Sequence, residues 1–152
     1  MSDPVAYFLT WVTYGSWLPG DQRGWVEYHK GWKLPNPLLE IECKIRQSEE
    51  SCLLTQRDRC LVETQIARTC ETRKWRLFAV NCRSNHVHVV LAASNTLPTK
   101  IRIDLKAYAT RRLKIESTQA GRKNWWGERG SVRWVWNKES LDQVVRYTKM
   151  GQ

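Results

Sequence analysis

Two strand-forming runs meet at a two-residue turn near the middle of the chain. Trp75 to Arg83 alternates roughly between apolar and polar residues, and His86 to Ala92 is mostly apolar. The polar pair Ser84-Asn85 separates the two runs. Such runs joined by a short polar turn are typical of an antiparallel hairpin. The hairpin limits the fold, because every other element has to be arranged around it.

The remaining elements are predicted from helix caps and apolar spacing, with Thr55 and Asn137 as N-caps. In chain order the predicted elements are a strand at Val5–Thr13, a helix at Thr55–Lys74, the two hairpin strands, a helix at Lys100–Glu116, a strand at Ser131–Trp136 and a helix at Lys138–Met150. On the first long helix, spacing predicts an apolar face formed by Cys60, Leu61, Thr64, Ile66, Ala67 and Cys70. The order β-α-β-β-α-β-α predicts an α+β fold: a ferredoxin-like split β-α-β-β-α-β antiparallel sheet with an added C-terminal helix.

The segment from about residue 14 to residue 55 is the least regular part of the chain. Gly15, Pro19 and Gly20 interrupt regular structure, and only a short helix at Leu38–Gln47 is predicted. Its tryptophans suit a nucleic-acid flap, and they equally suit a loop held in place by its own aromatic rings. We predict one domain over residues 1–152, with this segment as an irregular insertion.

The composition favours a polyanionic partner. The net charge is +10, from 25 basic and 15 acidic residues, and the chain has nine tryptophans, whose flat rings can stack on unpaired bases. The five cysteines are odd in number and form no C-x-x-C motif, which predicts free thiols in a reducing cytoplasm. Because no signal peptide and no run of about twenty apolar residues is present, we expect a cytoplasmic protein without a membrane partner.

His86 and His88 lie two residues apart in the second hairpin strand. Side chains two apart on a strand point to the same face, so the two imidazoles lie side by side. Two imidazoles on one face of a rigid strand can hold one divalent metal ion. A purely structural histidine pair is the alternative.

Two tyrosines are candidate nucleophiles. A tyrosine hydroxyl can attack a phosphodiester and hold the product as a phosphotyrosine. Tyr147 lies on the last helix, one step from its apolar stripe, and Tyr108 lies on the basic helix. Packing in the core or at an interface is the alternative role for either ring. If the last helix covers the open face of the sheet, Tyr147 faces the two histidines.

Over nearly its whole length the chain resembles the single-tyrosine HUH transposases, and in particular the branch of REP-associated tyrosine transposases. The matching stretches are Tyr7-Phe8-Leu9-Thr10-Trp11, Tyr14-Gly15-Ser16-Trp17-Leu18-Pro19-Gly20-Asp21, Asn85-His86-Val87-His88-Val89-Val90, Trp125-Trp126-Gly127, Ser131-Val132-Arg133-Trp134-Val135-Trp136 and Val145-Arg146-Tyr147-Thr148-Lys149-Met150-Gly151-Gln152. The resemblance implies a transposase that nicks and rejoins single-stranded DNA at sites flanked by hairpins, through a 5′-phosphotyrosine intermediate. It also implies Mg²⁺ or Mn²⁺ as cofactor and a homodimer.

Carried over to this chain, the resemblance makes His86 and His88 metal ligands and Tyr147 the nucleophile. The family's third ligand is commonly an Asn or Gln four residues after the tyrosine. That position is Gly151 here, and Gln152 follows it. Gln152 is the candidate third ligand, provided that the helix end unwinds at the glycine.

The candidate DNA contacts are basic residues of the predicted helix at Lys100–Glu116, the predicted strand at Ser131–Trp136 and the last helix, although a solvated basic face is an equal alternative for the first of these helices. They are Arg102, Lys106, Arg111, Arg112, Arg133 and Arg146.

The main rival to a transposase is a domesticated or catalytically weakened relative that binds DNA hairpins without cutting. Barrel hydrolases with an H-x-H motif need about 250 residues, so length argues against them.

Overall fold

The computed structural model describes residues 3–27 and 30–150. Within them the elements are β1 (Ala6–Thr13), β2 (Trp25–Glu27), β3 (Gly31–Lys33), α1 (Pro37–Arg46), α2 (Gln56–Arg73), β4 (Arg76–Cys82), β5 (His86–Ala92), α3 (Pro98–Glu116), β6 (Trp126–Val135) and α4 (Lys138–Met150). No helix in the described ranges is both long and apolar enough to cross a bilayer.

The main sheet has four strands in the order β4-β5-β1-β6, and every neighbouring pair is antiparallel. This is the order expected of a ferredoxin-like split β-α-β-β-α-β unit, so the predicted fold class is confirmed. The hairpin of β4 and β5 closes where the amide of Arg83 donates to the carbonyl of His86 at 2.8 Å. β6 begins at Trp126, five residues before its predicted start, because Trp126 pairs with Thr13 of β1.

One face of the sheet is covered by α2 and α3, and this interface forms the main core. Side chains from β1 and β5 meet apolar residues of the two helices there. The fully buried members include Leu9, Trp11, Val62, Ile66, Val87, Val89, Leu91, Ile101, Leu105 and Leu113. The core therefore lies on the face opposite to His86 and His88, which alternate with Val87 and Val89 along β5.

Helix α2 begins at the predicted cap. The Thr55 hydroxyl accepts from the amide of Asp58 at 3.1 Å, and the Asp58 carboxylate accepts from the amide of Thr55 at 3.2 Å. This reciprocal capping box is fully formed. The predicted apolar face is wrong in part, because Cys60, Thr64 and Ala67 are exposed. The buried face is rotated toward Asp58, Leu61, Val62, Ile66, Thr69 and Cys70.

Helix α4 packs on the opposite face of the sheet. The Asn137 side chain accepts from the amide of Ser140 at 2.9 Å, as expected of an N-cap. Val144 is buried in a second, smaller core with Ala6, Ala79, Val90 and Val135. Because Val90 alternates with the core residues of β5, α4 lies on the face that carries the two histidines.

Residues 14–55 contain more regular structure than predicted. Helix α1 matches the expected short helix, but the two-stranded sheet of β2 and β3 was not predicted. The indole of Trp17 donates to the carbonyl of Gly24 at 2.7 Å, and the guanidinium of Arg23 lies 4.4 Å from the Trp17 ring centre. At Gly24, with φ +85°, a Cβ would collide with the ring of Trp32. These contacts are those of a loop that its own tryptophans hold in place.

The five cysteines are free, as predicted. Burial raises the pKa of both Cys52 and Cys70 to about 11. These two buried thiols therefore remain protonated at neutral pH and contribute to packing rather than to chemistry.

Candidate active site

The two histidines of β5 lie side by side on the sheet face that α4 covers. Their ring centres are 4.7 Å apart. The pairing of β5 with β1 places Thr10 opposite His88 and Val12 opposite His86. His88 is buried and His86 is half-buried. A rigid central strand pair thus fixes both imidazoles.

Each imidazole has a hydrogen-bond partner on Nδ1. Nδ1 of His86 lies 2.7 Å from the side-chain oxygen of Asn85, which can only accept, so this nitrogen is the donor. Nδ1 of His88 lies 2.9 Å from the hydroxyl of Thr10, which can also accept. In the tautomer with the proton on Nδ1, the lone pair is on Nε2 and is available to a metal ion. A histidine that donates its second ring N–H in this way is typical of metal ligands.

The protonation state of His86 also suits a metal ligand. Burial, and then the positive charge of Arg83, lower the pKa of His86 below its ordinary value. The neutral imidazole is the form that binds a cation. The two imidazoles therefore fit a divalent metal ion.

A third ligand from His, Cys, Asp or Glu is absent in the described part of the chain: within residues 3–27 and 30–150, no group of three or more such side chains could hold a metal ion. Gln152, the predicted third ligand, lies outside the described residues.

Tyr147 of α4 lies next to the histidine pair. Its ring centre is 5.8 Å from that of His88 and 6.1 Å from that of Phe8, both in edge-on geometry. Phe8 in turn lies 5.5 Å from His88. The tyrosine is 49% exposed, so the ring is accessible to a large substrate.

The position of Tyr147 follows from how α4 docks. Val144 and Thr148 are buried against the sheet, and Tyr147 is one step around the helix from Thr148. The side-chain amide of Asn81 in β4 donates to the carbonyl of Thr148 at 2.8 Å. The last four carbonyls of a helix have no partner within the helix, so this bond both caps α4 and ties it to the sheet.

Tyr108, the rival nucleophile, lies on α3 in the helix layer on the other side of the sheet. Its ring centre is 5.8 Å from the guanidinium of Arg73 and 5.0 Å from that of Arg111. Of the two candidate tyrosines, Tyr147 is the one that shares a face with the histidines.

The six predicted DNA contacts divide into two groups. Arg133 is exposed on β6 opposite Phe8, and cross-strand partners point to the same face, so Arg133 faces the side of His88 and Tyr147. Arg146 is exposed on α4. Both side chains are accessible to a polyanion, and Arg133 is on the face of the site.

The four residues of α3 make contacts within the protein. Arg102 donates to the carbonyl of Gly130 at 3.2 Å, and Lys106 donates to that of Gly127 at 2.8 Å. Burial, followed by Arg102, lowers the pKa of Lys106 to about 8. Arg112 pairs with Glu116, and Arg111 lies over Tyr108. Arg102 and Lys106 therefore join α3 to β6, whereas Arg111 and Arg112 contact residues of α3 itself.

Thr10 and Asn81 belong to the site and were not predicted from the sequence. Each is a polar residue between two apolar neighbours in its strand, and that is the only signal that the sequence offers. Their roles depend on the register of β1 with β5 and on the docking of α4.

Comparison with known proteins gives one matching family and a set of similar solved structures. The family described as "Transposase IS200 like" matches residues 41–149. The chain is similar to the crystal structure of a transposase candidate from Deinococcus radiodurans R1, at 15% identity over 99% of this chain and 92% of that one, with a TM-score of 0.53. It is also similar to a REP-associated tyrosine transposase bound to a REP hairpin, at 13% identity over 99% of this chain and 67% of that one, with a TM-score of 0.54. None of the curated proteins matches the chain in sequence.

Proposed function

The chain belongs to the IS200-like transposase family, and from this premise we propose that it nicks and rejoins single-stranded DNA through a 5′-phosphotyrosine intermediate. The observation that carries the proposal is the ring of Tyr147 at 5.8 Å from that of His88, which itself lies 4.7 Å from that of His86. A nucleophile and a pair of metal-binding imidazoles are the two parts that such a reaction needs.

In the proposed reaction the hydroxyl oxygen of Tyr147 attacks the phosphorus of a DNA phosphodiester. The bond from phosphorus to the 3′ oxygen breaks, and its electron pair stays on that oxygen. The tyrosine proton passes to solvent, and the leaving 3′ oxygen takes up a proton to become a hydroxyl group. Tyr147 then holds the 5′ phosphate. Rejoining is the reverse step, with a 3′ hydroxyl as nucleophile and Tyr147 as leaving group.

His86 and His88 would hold Mg²⁺ or Mn²⁺, with Gln152 as the proposed third ligand. Such an ion would supply Lewis-acid polarisation of a phosphate oxygen and would stabilise the negative charge of the displacement. Thr10 and Asn85 would keep the two imidazoles in the required tautomer and orientation. Phe8 lies edge-on against Tyr147 and close to His88, and would limit the movement of both rings.

The proposed substrate is single-stranded DNA with hairpins beside the cut site. The net charge of +10 supports a polyanionic substrate. Arg133 is exposed on the face of the site and Arg146 is exposed on α4, and both would contact phosphates. The structurally similar REP-associated transposase is bound to a REP hairpin, which supports the hairpin as the recognised form. A homodimer is part of the proposal and rests on the family resemblance; within one chain, α4 already brings Tyr147 to the histidines.

The direct test is covalent adduct formation on labelled single-stranded DNA that carries a hairpin, taken from the DNA on either side of the gene. With Mn²⁺ the wild-type protein should give an adduct that survives a denaturing gel, and EDTA should prevent it. Tyr147→Phe should remove the adduct, and the matched control Tyr108→Phe should retain it. An adduct that persists in Tyr147→Phe contradicts the assignment. Tight hairpin binding without any adduct in the wild type would instead support the non-cutting relative.

A further inference from the structure

We propose that Trp134 and Trp136 form a stacking site for an unpaired base of single-stranded DNA, at the outer edge of the sheet. The proposal rests on the proposed function for its substrate class, and it adds a binding site separate from the histidines and Tyr147. We call this feature the tryptophan platform, consisting of Trp134 on β6 and Trp136 directly after it.

The two indole rings of the platform already form a stack. Their centres are 5.9 Å apart and their planes differ by 14°. Tyr7 lies edge-on against Trp134, with ring centres 5.1 Å apart at 85°, and supports it from the core side. Trp134 is 43% exposed and Trp136 is 55% exposed. A flat nucleobase can extend this stack on the exposed ring without any rearrangement of the protein.

The surroundings favour nucleic acid over another apolar partner. Val132, Arg133, Trp134 and Trp136 line one shallow depression, and the basic residue Arg133 lies between the two tryptophans and Val132 in sequence, with its side chain toward the other face of the strand. Exposed aromatic rings next to positive charge are typical of surfaces that bind single strands, since the rings take bases and the cation takes phosphates.

The position of β6 connects the platform to the proposed cut site. β6 is the edge strand of the main sheet next to β1. Arg133 points to the face of Phe8, which contacts His88 and Tyr147, whereas Trp134 points to the opposite face beside Tyr7. A single strand that crosses this edge can therefore place a phosphate near Arg133 and a neighbouring base on the platform.

The other tryptophans do not offer such a surface. Trp11, Trp75 and Trp125 are buried, and the half-buried Trp25 donates from its indole to the carbonyl of Leu34 at 3.1 Å. The indole of Trp126 donates to the hydroxyl of Thr110 at 2.8 Å and its ring packs edge-on against Trp11. Trp17 and Trp32 are partly exposed, but they contact each other edge-on, Arg23 covers Trp17, and Trp32 lies against Gly24. A parallel stack with an exposed outer ring occurs at the platform.

The test compares Trp136→Ala, Trp136→Phe and the surface control Ile115→Ala for affinity to a single-stranded oligonucleotide, measured by fluorescence anisotropy. All three are made in a Tyr147→Phe background with EDTA, so that binding is measured without cutting and the outcome does not depend on nicking. Trp136→Ala should bind about 10-fold more weakly, which is the typical loss when one stacked base loses its aromatic partner. Trp136→Phe should keep most of the affinity. Ile115→Ala should bind as tightly as the parent protein, which carries Tyr147→Phe alone.

A scan of the oligonucleotide with single abasic positions separates stacking from a general loss of binding. At one position the abasic substitution should weaken binding to the parent about 10-fold and leave Trp136→Ala unaffected. The proposal is overturned if Trp136→Ala binds like the parent, or if it shows the same abasic profile at lower affinity. It is also overturned if Trp136→Ala changes the sedimentation of the protein but not its affinity for DNA, because the platform would then be a contact between copies of the chain.

Discussion

The hydrogen bond between Thr10 and His88 is the contact that most directly sets the chemistry of the proposed metal site. The hydroxyl is 2.9 Å from Nδ1 and orients the buried imidazole from the neighbouring strand. A group that hydrogen-bonds to a metal-binding histidine keeps the imidazole in the tautomer that binds the ion. Loss of such a group typically weakens metal affinity about 10- to 100-fold. Thr10 therefore acts through His88 as a positioning residue.

We predict that Thr10→Val binds Mn²⁺ about 10-fold more weakly than the wild type, because valine has the shape of threonine but no group that can hold Nδ1. Titration calorimetry measures the affinity, and thermal unfolding checks that the fold is intact. Thr72→Val, at an exposed position of α2, is the control and should bind like the wild type. Equal Mn²⁺ affinities for Thr10→Val and the wild type would exclude this role for the hydroxyl.

At the residue level, the sequence predicted the residues proposed as metal ligands and nucleophile. It did not predict the residues that hydrogen-bond to them or to the helix that carries them. His86 and His88 could be paired because strand alternation places them on one face. Tyr147 could be named because the last helix resembles that of the single-tyrosine transposases; its place beside the apolar stripe is equally consistent with packing. Thr10 and Asn81 could not, since their partners are 78 and 67 residues away in sequence. Such contacts depend on strand register and helix docking, which no local pattern encodes.

At the level of elements, α4 decides whether the tyrosine and the histidines form one site. The helix is held by Val144 in the second core and by the bond from Asn81 to the carbonyl of Thr148. The final turn of a helix is otherwise prone to fraying, because its carbonyls lack partners within the helix. Tyr147 lies in this final part of α4, so its position depends on that bond.

We predict that Asn81→Ala loosens the end of α4. The amides of its last turn should exchange with solvent faster, and the protein should lose about 1 kcal/mol of unfolding free energy, as is typical for a lost hydrogen bond. Adduct formation should slow while Mn²⁺ affinity is retained, since the two histidines do not move. Gln143→Ala, at an exposed position of the same helix, is the control. Unchanged exchange in Asn81→Ala would show that the bond does not position α4.

Elements with strong local signals were predicted well, and those that depend on tertiary pairing were not. The capping box of α2 and the Asn137 cap of α4 could be anticipated from residue types. The small sheet of β2 and β3 was missed, because each strand has three residues and too little alternation to be recognised. The buried face of α2 was partly misplaced, since Asp58 and Thr69 are buried there instead of apolar residues.

For the whole molecule, the distribution of charge matters more than its total. The net charge is +10, but Arg102 and Lys106 bond to carbonyls of β6 and Arg112 pairs with Glu116. Arg133 and Arg146 are exposed, and Arg133 lies on the side of the sheet with the proposed site. The composition predicted a polyanionic partner, but only the structure distinguishes charges used inside the protein from those that a phosphate can reach.

We predict that the affinity for single-stranded DNA falls steeply with salt, and that Arg133→Ala and Arg146→Ala each reduce the slope of log affinity against log salt by about 0.7, the value for one lost phosphate contact on a single strand. Arg112→Ala is the matched control and should leave the slope unchanged, because its guanidinium already has a carboxylate partner. A slope change in Arg112→Ala as large as that in Arg133→Ala would contradict this division of the charge.

The central claim is that Tyr147 forms the covalent bond to DNA, and peptide mapping of the adduct tests it most directly. The protein is incubated with its hairpin-flanked single strand and Mn²⁺, the DNA is trimmed with nuclease, and tryptic peptides are sequenced by mass spectrometry. We predict a nucleotide mass on the peptide that contains Tyr147 and none on the peptide that contains Tyr108. A nucleotide attached to Tyr108, or to any residue other than Tyr147, would contradict the account.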